Sequence, residues 1–264
     1  MKLSIITINY NNKAGLQKTI DSVICQTWKD YEWIIIDGGS TDGSKELIEQ
    51  YQQHFAYWCS EPDKGVYNAM NKGIAKAKGE YVNFMNSGDC FASPFVLSEL
   101  ASHLHSYDII FGRSRNNVTK MVTNPVMMKE KLDIDDFFFS TLPHQSCFIR
   151  LQLFNQCGFY REDLAVVSDW VFFVQAIVFN GATYLFFPID VCLFDCGGIS
   201  STQLAYCERQ KMIDVLFPSM IKDALHSVMS LKTIQRFWVT KSVYSFLYRI
   251  SDFCSRHFLK ETFY

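Results

Sequence analysis

The first hundred or so residues alternate short apolar runs with amphipathic stretches. We predict strands at the apolar runs, which span residues 3–8, 32–36, 80–85 and 107–111. We predict helices between them, near residues 15–27, 44–53, 66–77 and 94–104. Strands that alternate with helices in this way are typical of βαβ units and of a mostly parallel sheet. The pattern therefore indicates an α/β fold.

The second half of the chain gives a less regular signal. Further strands are expected at Cys147–Ile149 and at residues 183–187, and further helices near residues 151–156 and 169–179. From about Thr202 the pattern is helical to the end. The stretch from Arg113 to Thr123 is the most polar interior region, and we expect a loop or a short hairpin there. We find no internal repeat, low-complexity segment or linker, so we expect one compact domain plus a tail.

One apolar strand leads directly into a glycine-rich polar turn. Trp33–Ile36 are large and apolar, Asp37 follows at the carboxyl end of the strand, and Gly38 begins a turn that can bend tightly. Ser40–Asp42 can cap the helix that we predict from about Ser44. Ligands of open α/β sheets bind at this edge, which makes it the expected place for a nucleotide. The alternative is that the two aspartates only cap a turn.

Composition and charge narrow the class of protein. The chain has 264 residues, of which 48% are hydrophobic and 20% charged, enough to bury one large α/β core or two small ones. A formal net charge of −2 provides no basic field, so we expect no nucleic-acid partner. The nine cysteines are scattered without a CxxC pair, which favours reduced thiols in a cytoplasmic protein over disulfides or a zinc site.

Neither end of the chain predicts export or a membrane span. After Lys2 only about six apolar residues precede Asn9, which suits a strand and is too short for a signal peptide. No run approaches the roughly 20 apolar residues of a spanning helix. We therefore expect a cytoplasmic protein.

Two common ways of holding a diphosphate are absent from the sequence. No G-x-G-x-x-G follows the first strand, which disfavours a dinucleotide dehydrogenase, and no G-x-x-x-x-G-K-[ST] motif is present. Instead, Asp89 ends a strand where it could bind a hard divalent cation that neutralises diphosphate oxygens. The alternative role of Asp89 is a helix N-cap ahead of Pro94. Lys64 and Gly65 precede a predicted helix, whose free N–H groups favour an anion.

Several separate segments together resemble the family 2 glycosyltransferases, and more closely the bacterial members that build surface polysaccharides. The resemblance runs from the first residue to about Ser200. The matching segments are Ser4–Asn12, the strand end at Asp37, Glu61–Gly73, Gly79–Asp89, Pro143–Gln145, Ser168–Trp170 and Gly197–Ser200. Their order along the chain is that of the family, which is far more specific than any one of them.

The resemblance implies a GT-A fold, in which an open, mostly parallel nucleotide-binding sheet is flanked by helices. Residues 1–200 would form this domain, with a nucleotide-sugar half at 1–112 and an acceptor half at 113–200, and residues 201–264 a helical C-terminal extension. The implied activity is inverting transfer from a nucleotide-diphosphate sugar, UDP-linked by resemblance, to a hydroxyl of a saccharide or lipid-linked saccharide. A catalytically silent sugar-nucleotide-binding subunit and a nucleotidyltransferase are the alternatives.

The resemblance also assigns roles on the donor side. The residues implied in nucleotide-sugar binding are Thr7, Tyr10, Asn11, Asp37, Ser40, Asp63, Lys64, Gly65, Asn68 and Asn71. Asp89 is the implied metal ligand, for Mg²⁺ or Mn²⁺. Many relatives carry D-x-D at this loop, whereas this chain has Ser87-Gly88-Asp89 and lacks one carboxylate of the pair. Magnesium needs only one or two protein carboxylates plus phosphates, so Asp89 alone could suffice.

The general base and the acceptor contacts are expected in the second half. Transfer to a hydroxyl requires removal of its proton, and Asp169, at the start of an apolar helix, is the implied base, with capping as its plain alternative. His144 and Gln145 are implied on the acceptor side, with His144 starting a strand. Trp170 either stacks on a sugar ring or belongs to the core. Gly197 and Gly198 would supply a mobile lid, or a simple turn.

The segment from Leu231 to Tyr264 has a different composition from the rest. It holds six basic and only two acidic residues, and aromatic residues lie between them on a helical period. Such a helix is typical of the surface of an anionic membrane, which would suit a lipid-linked acceptor at the inner face of the cell membrane. The alternative is a terminal helix packed on the core or in a homodimer.

Overall fold

Eight strands form one sheet in the computed structural model, which describes residues 1–195 and 203–223. The strands are β1 Leu3–Asn9, β2 Tyr31–Asp37, β3 Tyr57–Ser60, β4 Tyr81–Phe84, β5 Cys90–Phe91, β6 Ile109–Asn116, β7 Cys147–Arg150 and β8 Tyr184–Phe194. The helices are α1 Lys13–Ile24, α2 Ser44–Tyr51, α3 Val66–Lys76, α4 Val96–Leu100, α5 Ile134–Phe139, α6 Gln152–Cys157, α7 Ser168–Phe173 and α8 Gln203–Leu216. A π-helical segment, Val174–Phe179, continues α7.

The strands lie in the order β3-β2-β1-β4-β7-β6-β8-β5. The four strands β3, β2, β1 and β4 pair in parallel, as predicted. The other half is mixed, because β7 lies antiparallel between β4 and β6, while β6 and β8 are parallel and β5 and β8 antiparallel. The sheet is mixed because β7 inserts between two earlier strands and runs in the opposite direction to both. The alternation of strands and helices in the sequence does not predict this insertion.

Both faces of the parallel half are covered by helices, which explains its nearly continuous apolar runs. Every residue of β1 is buried. Leu3 and Ile5 belong to a core cluster with residues of α1, α2 and α4. On the opposite face Ile6 packs against α3, where a Cβ at Gly73 would lie 2.5 Å from the Ile6 Cγ2 atom. This close approach sets α3 directly on the strand whose carboxyl end opens into the site.

Several predicted elements are confirmed with altered bounds, and three were missed. The strands β3 and β5 and the short helix α5 were not predicted. The strand expected at 107–111 continues to Asn116, because it pairs along its length with β8, and an antiparallel bridge from Arg115 to Val122 then closes the predicted hairpin. The helix expected at 94–104 is only α4 followed by a 3₁₀ turn, Ala101–His103.

Contacts divide the chain into two units, residues 1–212 and 213–264. Within the described ranges, no helix is both long enough and apolar enough to cross a membrane. The predicted lid at Gly197 and Gly198 and the basic aromatic segment 231–264 lie outside the described residues. The predicted domain boundary after residue 200 stays a prediction.

Candidate active site

A cavity of about 810 Å³ opens at the carboxyl ends of β1 and β4. The start of α3, the start of α7 and the end of β8 also contribute to its wall. Of the residues predicted from the sequence, those that line it are Tyr10, Asp63, Gly65, Asp89, His144, Gln145, Asp169 and Trp170. The cavity therefore opens at the sheet edge where the sequence predicted a ligand.

Asp37 lies at the end of β2 with a fully buried side chain. Its Oδ1 accepts hydrogen bonds from Asn9 Nδ2 and Ser40 Oγ, and its Oδ2 accepts from the Ser40 backbone N–H and from Ser60 Oγ. Burial raises the pKa of Asp37, but the hydrogen bonds lower it by a larger amount, so its pKa lies below the ordinary value. These bonds use all four acceptor positions of the carboxylate. Asp37 therefore stabilises the shape of the loop, and its implied contact with the nucleotide sugar stays a prediction.

The turn after β1 meets the turn after β2 at the rim of the cavity. Asn11, in a left-handed conformation with φ 47°, accepts a hydrogen bond from the Thr41 backbone N–H through Oδ1 at 2.8 Å. Ser40 Oγ accepts from the Asn11 backbone N–H at 2.7 Å. Asn11 and Ser40 thus join the two loops, while the 65% exposed Tyr10 faces the cavity.

Gly38 fits between Tyr10 and Asp63. A Cβ at position 38 would lie 2.6 Å from Asp63 Oδ2 and 3.1 Å from Tyr10 Cδ2. A larger residue at position 38 would require these side chains to shift. Tyr10 and Asp63 therefore lie close to the same glycine and both line the cavity, while their donor-side role stays a prediction.

Thr7 is fully buried inside the sheet and is not among the described residues that line the cavity, and its contact with the nucleotide stays a prediction. Its hydroxyl donates to the Met85 carbonyl oxygen at 2.7 Å and accepts from Trp33 Nε1 at 3.0 Å. Lys64 is exposed beside the cavity and is not one of the residues described as lining it, whereas Gly65, with φ 114°, does line it.

The contact of Asn68 and Asn71 with the donor stays a prediction, and in the structure both side chains bond to another part of the protein. Both side-chain amides donate to the carboxylate of Glu162, at 2.9 Å each. Asn71 also donates to the Tyr160 carbonyl oxygen and accepts from the Tyr160 backbone N–H. The face of α3 that bears them holds the chain at 160–162, away from the cavity.

We predict that Asn71→Ala lowers the thermal stability and leaves UDP affinity unchanged. The substitution leaves the backbone groups of Tyr160 without their partner, at a cost of about 1–3 kcal/mol. Thermal melting and calorimetric titration of UDP measure the two effects. Lys76→Ala, an exposed position at the end of α3, is the control. Loss of UDP affinity at an unchanged melting temperature would contradict this prediction and identify Asn71 as a donor contact.

Asp169 is the second residue of α7 and lines the cavity with a side chain that is 11% exposed. Tyr67 Oη lies 3.0 Å from its Oδ1 and 2.5 Å from the Val166 carbonyl oxygen, so the single hydroxyl proton is shared between these two acceptors. His144 Nδ1 lies 3.0 Å from Asp169 Oδ2. Burial raises the pKa of Asp169, but the hydrogen bond and the charge of His144 outweigh burial and lower it below the ordinary value. The carboxylate is therefore ionised at neutral pH and able to accept a proton.

His144 begins a 3₁₀ turn, His144–Ser146, and not the strand that was expected, which starts at Cys147. Its ring joins two parts of the site, because Nδ1 faces Asp169 and Nε2 lies 3.3 Å from Asn86 Nδ2. Burial lowers the pKa of His144, but the hydrogen bond and charge of Asp169 raise it above the ordinary value. His144 is thus a partner of the candidate base.

The other two acceptor-side residues are largely structural. Gln145 is buried and donates through Nε2 to Ser114 Oγ at 3.2 Å. Trp170 is fully buried, and its Nε1 donates to the Phe137 carbonyl oxygen at 2.7 Å. Both have a surface on the cavity, but the indole N–H of Trp170 is already bonded, which supports the core alternative for Trp170.

Asp89 precedes β5 and does not cap a helix, so the capping alternative is wrong. The side chain is 5% exposed and its Oδ1 accepts from the Asp195 backbone N–H at 3.1 Å. Burial raises its pKa to about 7, only partly offset by that hydrogen bond and by the charge of His144. A buried carboxylate whose charge is so poorly compensated is suited to a cation. The side chain of Asp195 lines the same cavity.

A separate group of carboxylates, Asp133, Asp135 and Asp136, lies at the start of α5, with ligand atoms within 4.8 Å of one another. Lys129 Nζ lies 2.6 Å from Asp136 and 3.4 Å from Asp133. Asp136 also accepts from the Asp133 backbone N–H. Helix capping and this lysine account for the group, so Asp89 remains the candidate metal ligand.

Sequence reasoning missed Tyr67, Asn86, Asp195 and two residues of α8, Glu208 and Arg209. Tyr67 and Asp169 are 102 positions apart, and no spacing pattern connects them. Asn86 and Asp195 each stand at the end of a strand, the kind of position that could have been weighed. The two residues of α8 carry no local signal.

Comparison with known proteins gives a consistent result. The family model for glycosyl transferase family 2 matches residues 4–157. The chain is 32% identical over 205 residues to an uncharacterized glycosyltransferase of Mycobacterium tuberculosis, covering 75% of this chain and 77% of that protein. It is 28% identical over 207 residues to a PGL/p-HBAD biosynthesis glycosyltransferase of Mycobacterium bovis, covering 75% and 79% of the two chains.

Solved structures resemble this fold at lower identity. TarS 1–349 of S. aureus in complex with UDP-GlcNAc aligns with a TM-score of 0.69 and 19% identity, over 85% of this chain and 70% of that one. The mannosyltransferase PcManGT of Pyrobaculum calidifontis, in complex with GDP-Man and Mn²⁺, aligns with a TM-score of 0.60 and 15% identity, over 79% and 60% of the chains. These likenesses concern the fold alone.

Proposed function

We propose that this chain, which belongs to glycosyl transferase family 2 and is a glycosyltransferase of the GT-A fold, inverts the configuration of the sugar that it transfers. The donor is a nucleotide-diphosphate sugar, UDP-linked, and the acceptor is a hydroxyl of a saccharide or lipid-linked saccharide in surface polysaccharide biosynthesis. The observation that carries the proposal is the ionised, oriented carboxylate of Asp169 in the wall of the cavity.

Asp169 is the general base of this reaction. A carboxylate that takes the acceptor proton as the new bond forms contributes about 10²–10⁴-fold to the rate. His144 contacts Oδ2 of Asp169 and Tyr67 Oη lies beside Oδ1, which orients the carboxylate and leaves further lone pairs for the acceptor hydroxyl. A single displacement opposite the leaving nucleotide converts an α-linked donor into a β-linked product.

The donor side of the cavity is the wall formed by Tyr10, Gly38 and Asp63. The exposed ring of Tyr10 offers a flat apolar surface beside the carboxylate of Asp63, which suits a nucleoside with its ribose hydroxyls. The TarS neighbour was solved with UDP-GlcNAc and the mannosyltransferase with GDP-Man. The TarS complex supports UDP as the nucleotide here.

A divalent cation, Mg²⁺ or Mn²⁺, fits the charge around Asp89. Glycosyltransferases of this fold generally use such a cation, and the mannosyltransferase neighbour was solved with Mn²⁺. Asp89 would hold the ion, with the nearby carboxylate of Asp195 on the same side of the cavity. When bound, the ion would neutralise charge on the diphosphate and so assist its departure.

The remaining predictions concern partners and location. A lipid-linked acceptor stays a prediction. A cytoplasmic location, contact of residues 231–264 with the inner face of the membrane, and a homodimer stay predictions.

A panel of sugar nucleotides tests the proposed function. A ligand that binds only the folded state raises the melting temperature, so a UDP-sugar with Mn²⁺ should stabilise the protein more than the GDP and dTDP sugars do. UDP release with a saccharide acceptor then measures transfer. Stabilisation by no nucleotide sugar, or consumption of pyrophosphate without release of UDP, would contradict the proposal.

A further inference from the structure

We propose that Arg209 binds a phosphate oxyanion in the cavity, as a cation supplied by the protein itself. The inference rests on the proposed function, because the phosphate is that of the donor diphosphate or of a phosphorylated acceptor. Arg209 lies on α8 and lines the cavity, although no sequence signal points to it.

The wall of the cavity is acidic, so a phosphate can bind there only beside a cation. Four carboxylates line it in the described part of the chain, those of Asp63, Asp89, Asp169 and Asp195. Arg209 is the one permanent side-chain cation among the described lining residues. A diphosphate adds further negative charge to an already acidic cavity, so its binding requires positive charge on the wall. Arginine is well suited, since its planar guanidinium matches phosphate oxygens in pairs.

The neighbouring residue fixes the place of Arg209. The carboxylate of Glu208 accepts hydrogen bonds from the backbone N–H groups of Ala165 at 2.8 Å and Val166 at 2.9 Å, and from that of Val167 at 3.3 Å. These groups lie just before α7, the helix that bears Asp169. Glu208 thereby joins α8 to the start of α7. This contact holds Arg209, the next residue, close to the helix that bears the candidate base.

The guanidinium of Arg209 lies over a rigid platform. Its Cζ is 5.4 Å from the centroid of the buried Trp170 ring, whose Nε1 is already bonded to Phe137. A guanidinium stacked on an aromatic face keeps the N–H groups at its edge available.

Arg209 has no carboxylate partner within 4 Å among the described residues, unlike Arg113, Arg115, Arg150 and Arg161. Burial lowers the pKa of Arg209, and the charge of Asp169 offsets this only in part. A half-buried cation without an ion-pair partner favours a bound anion.

Three substitutions in the full chain test the inference. Arg209→Gln removes the charge, Arg209→Met also removes it but keeps a long apolar stem for packing on Trp170, and Lys211→Gln is the control. Lys211 is an exposed cation on the same helix and is not among the described lining residues. Calorimetric titrations with UDP, uridine, inorganic pyrophosphate and glucose 1-phosphate, each in chelator, separate this site from metal-dependent binding. Thermal melting identifies the variants that remain folded.

Loss of one charge-assisted hydrogen-bonding group should weaken binding of the phosphate ligands by about 10-fold or more in both Arg209 variants. Lys211→Gln should bind all ligands as the wild type does, and uridine affinity should be the same throughout. A loss for UDP and pyrophosphate assigns the site to the donor diphosphate. A loss confined to glucose 1-phosphate assigns it to a phosphorylated acceptor.

The inference and the proposed function fail in different ways. If the wild type binds UDP, and both Arg209 variants bind every phosphate ligand as Lys211→Gln does, Arg209 is not an anion site and the glycosyltransferase proposal is unaffected. If the wild type binds pyrophosphate through Arg209 but neither UDP nor a UDP-sugar, the anion site stands and the UDP-linked donor does not. If the wild type binds no phosphate ligand in chelator, the anion site is overturned, and if it also binds none with Mn²⁺, both are overturned.

Discussion

Asp169→Asn is expected to reduce sugar transfer by more than about 100-fold while UDP affinity changes by less than about twofold. The asparagine has nearly the same size and can still accept from Tyr67 Oη through its amide oxygen, but it cannot take up the acceptor proton. The loss should therefore appear in kcat and not in donor binding. Initial rates of UDP release with acceptor, together with calorimetric titration of UDP, measure the two quantities.

The matched control is Asp163→Asn, the same chemical change at an exposed aspartate that pairs with Arg161. It should transfer sugar at the wild-type rate. Transfer by Asp169→Asn at the rate of this control would remove Asp169 from the chemistry. Equal loss of transfer and of UDP affinity would make Asp169 a binding residue instead of a base.

Asp89→Asn is expected to stabilise the protein in the absence of metal at pH 8 and to lose the additional stabilisation that Mn²⁺ gives in the presence of UDP. The folded-state pKa of Asp89, about 7, lies above the ordinary value of 3.8. Between these values the folded chain binds more protons than the unfolded chain, so stability falls as pH rises through that range. Each unit of pKa shift corresponds to roughly 1.4 kcal/mol, so a neutral amide should relieve a cost of a few kcal/mol above pH 7.

Melting curves at pH 4.5 and pH 8, with chelator or with Mn²⁺ and UDP, measure this effect. In chelator, the gain from Asp89→Asn should be large at pH 8 and small at pH 4.5, where the wild-type carboxyl is protonated when folded. Asp42→Asn, at an exposed aspartate of the turn after β2, is the control and should show no such gain at pH 8. An Asp89→Asn variant that is less stable than the wild type in chelator, or that Mn²⁺ with UDP stabilises fully, would contradict the role of Asp89.

The parallel half of the sheet and the edge at which the cavity opens could be predicted because their signals are local, whereas the GT-A fold was implied by the resemblance of several segments in order along the chain. The apolar strand that ends at Asp37 and the turn at Gly38 belong to one short stretch, and the structure places both at the predicted edge. The strand β5 was missed because it has only two residues, and β3 because it is a half-buried edge strand without large aliphatic residues.

The contacts of other residues could not be predicted because their partners are distant in sequence. The resemblance implied a donor role for Asn68 and Asn71, which lie inside a helix, where asparagine is unfavourable. That unfavourable placement is compensated by contacts to Tyr160 and Glu162, about 90 positions away along the chain. The pairing of His144 with Asp169 and the packing of Arg209 on Trp170 depend likewise on tertiary contacts.

The stereochemistry of transfer tests the central claim most directly. Once an accepted UDP-α-sugar and an acceptor are known, the anomeric proton of the first-formed product is observed by NMR during the reaction. The account predicts a β-linked product from the α-linked donor, as expected for one displacement with Asp169 as base. An α-linked product would show retention of configuration and contradict the inverting mechanism.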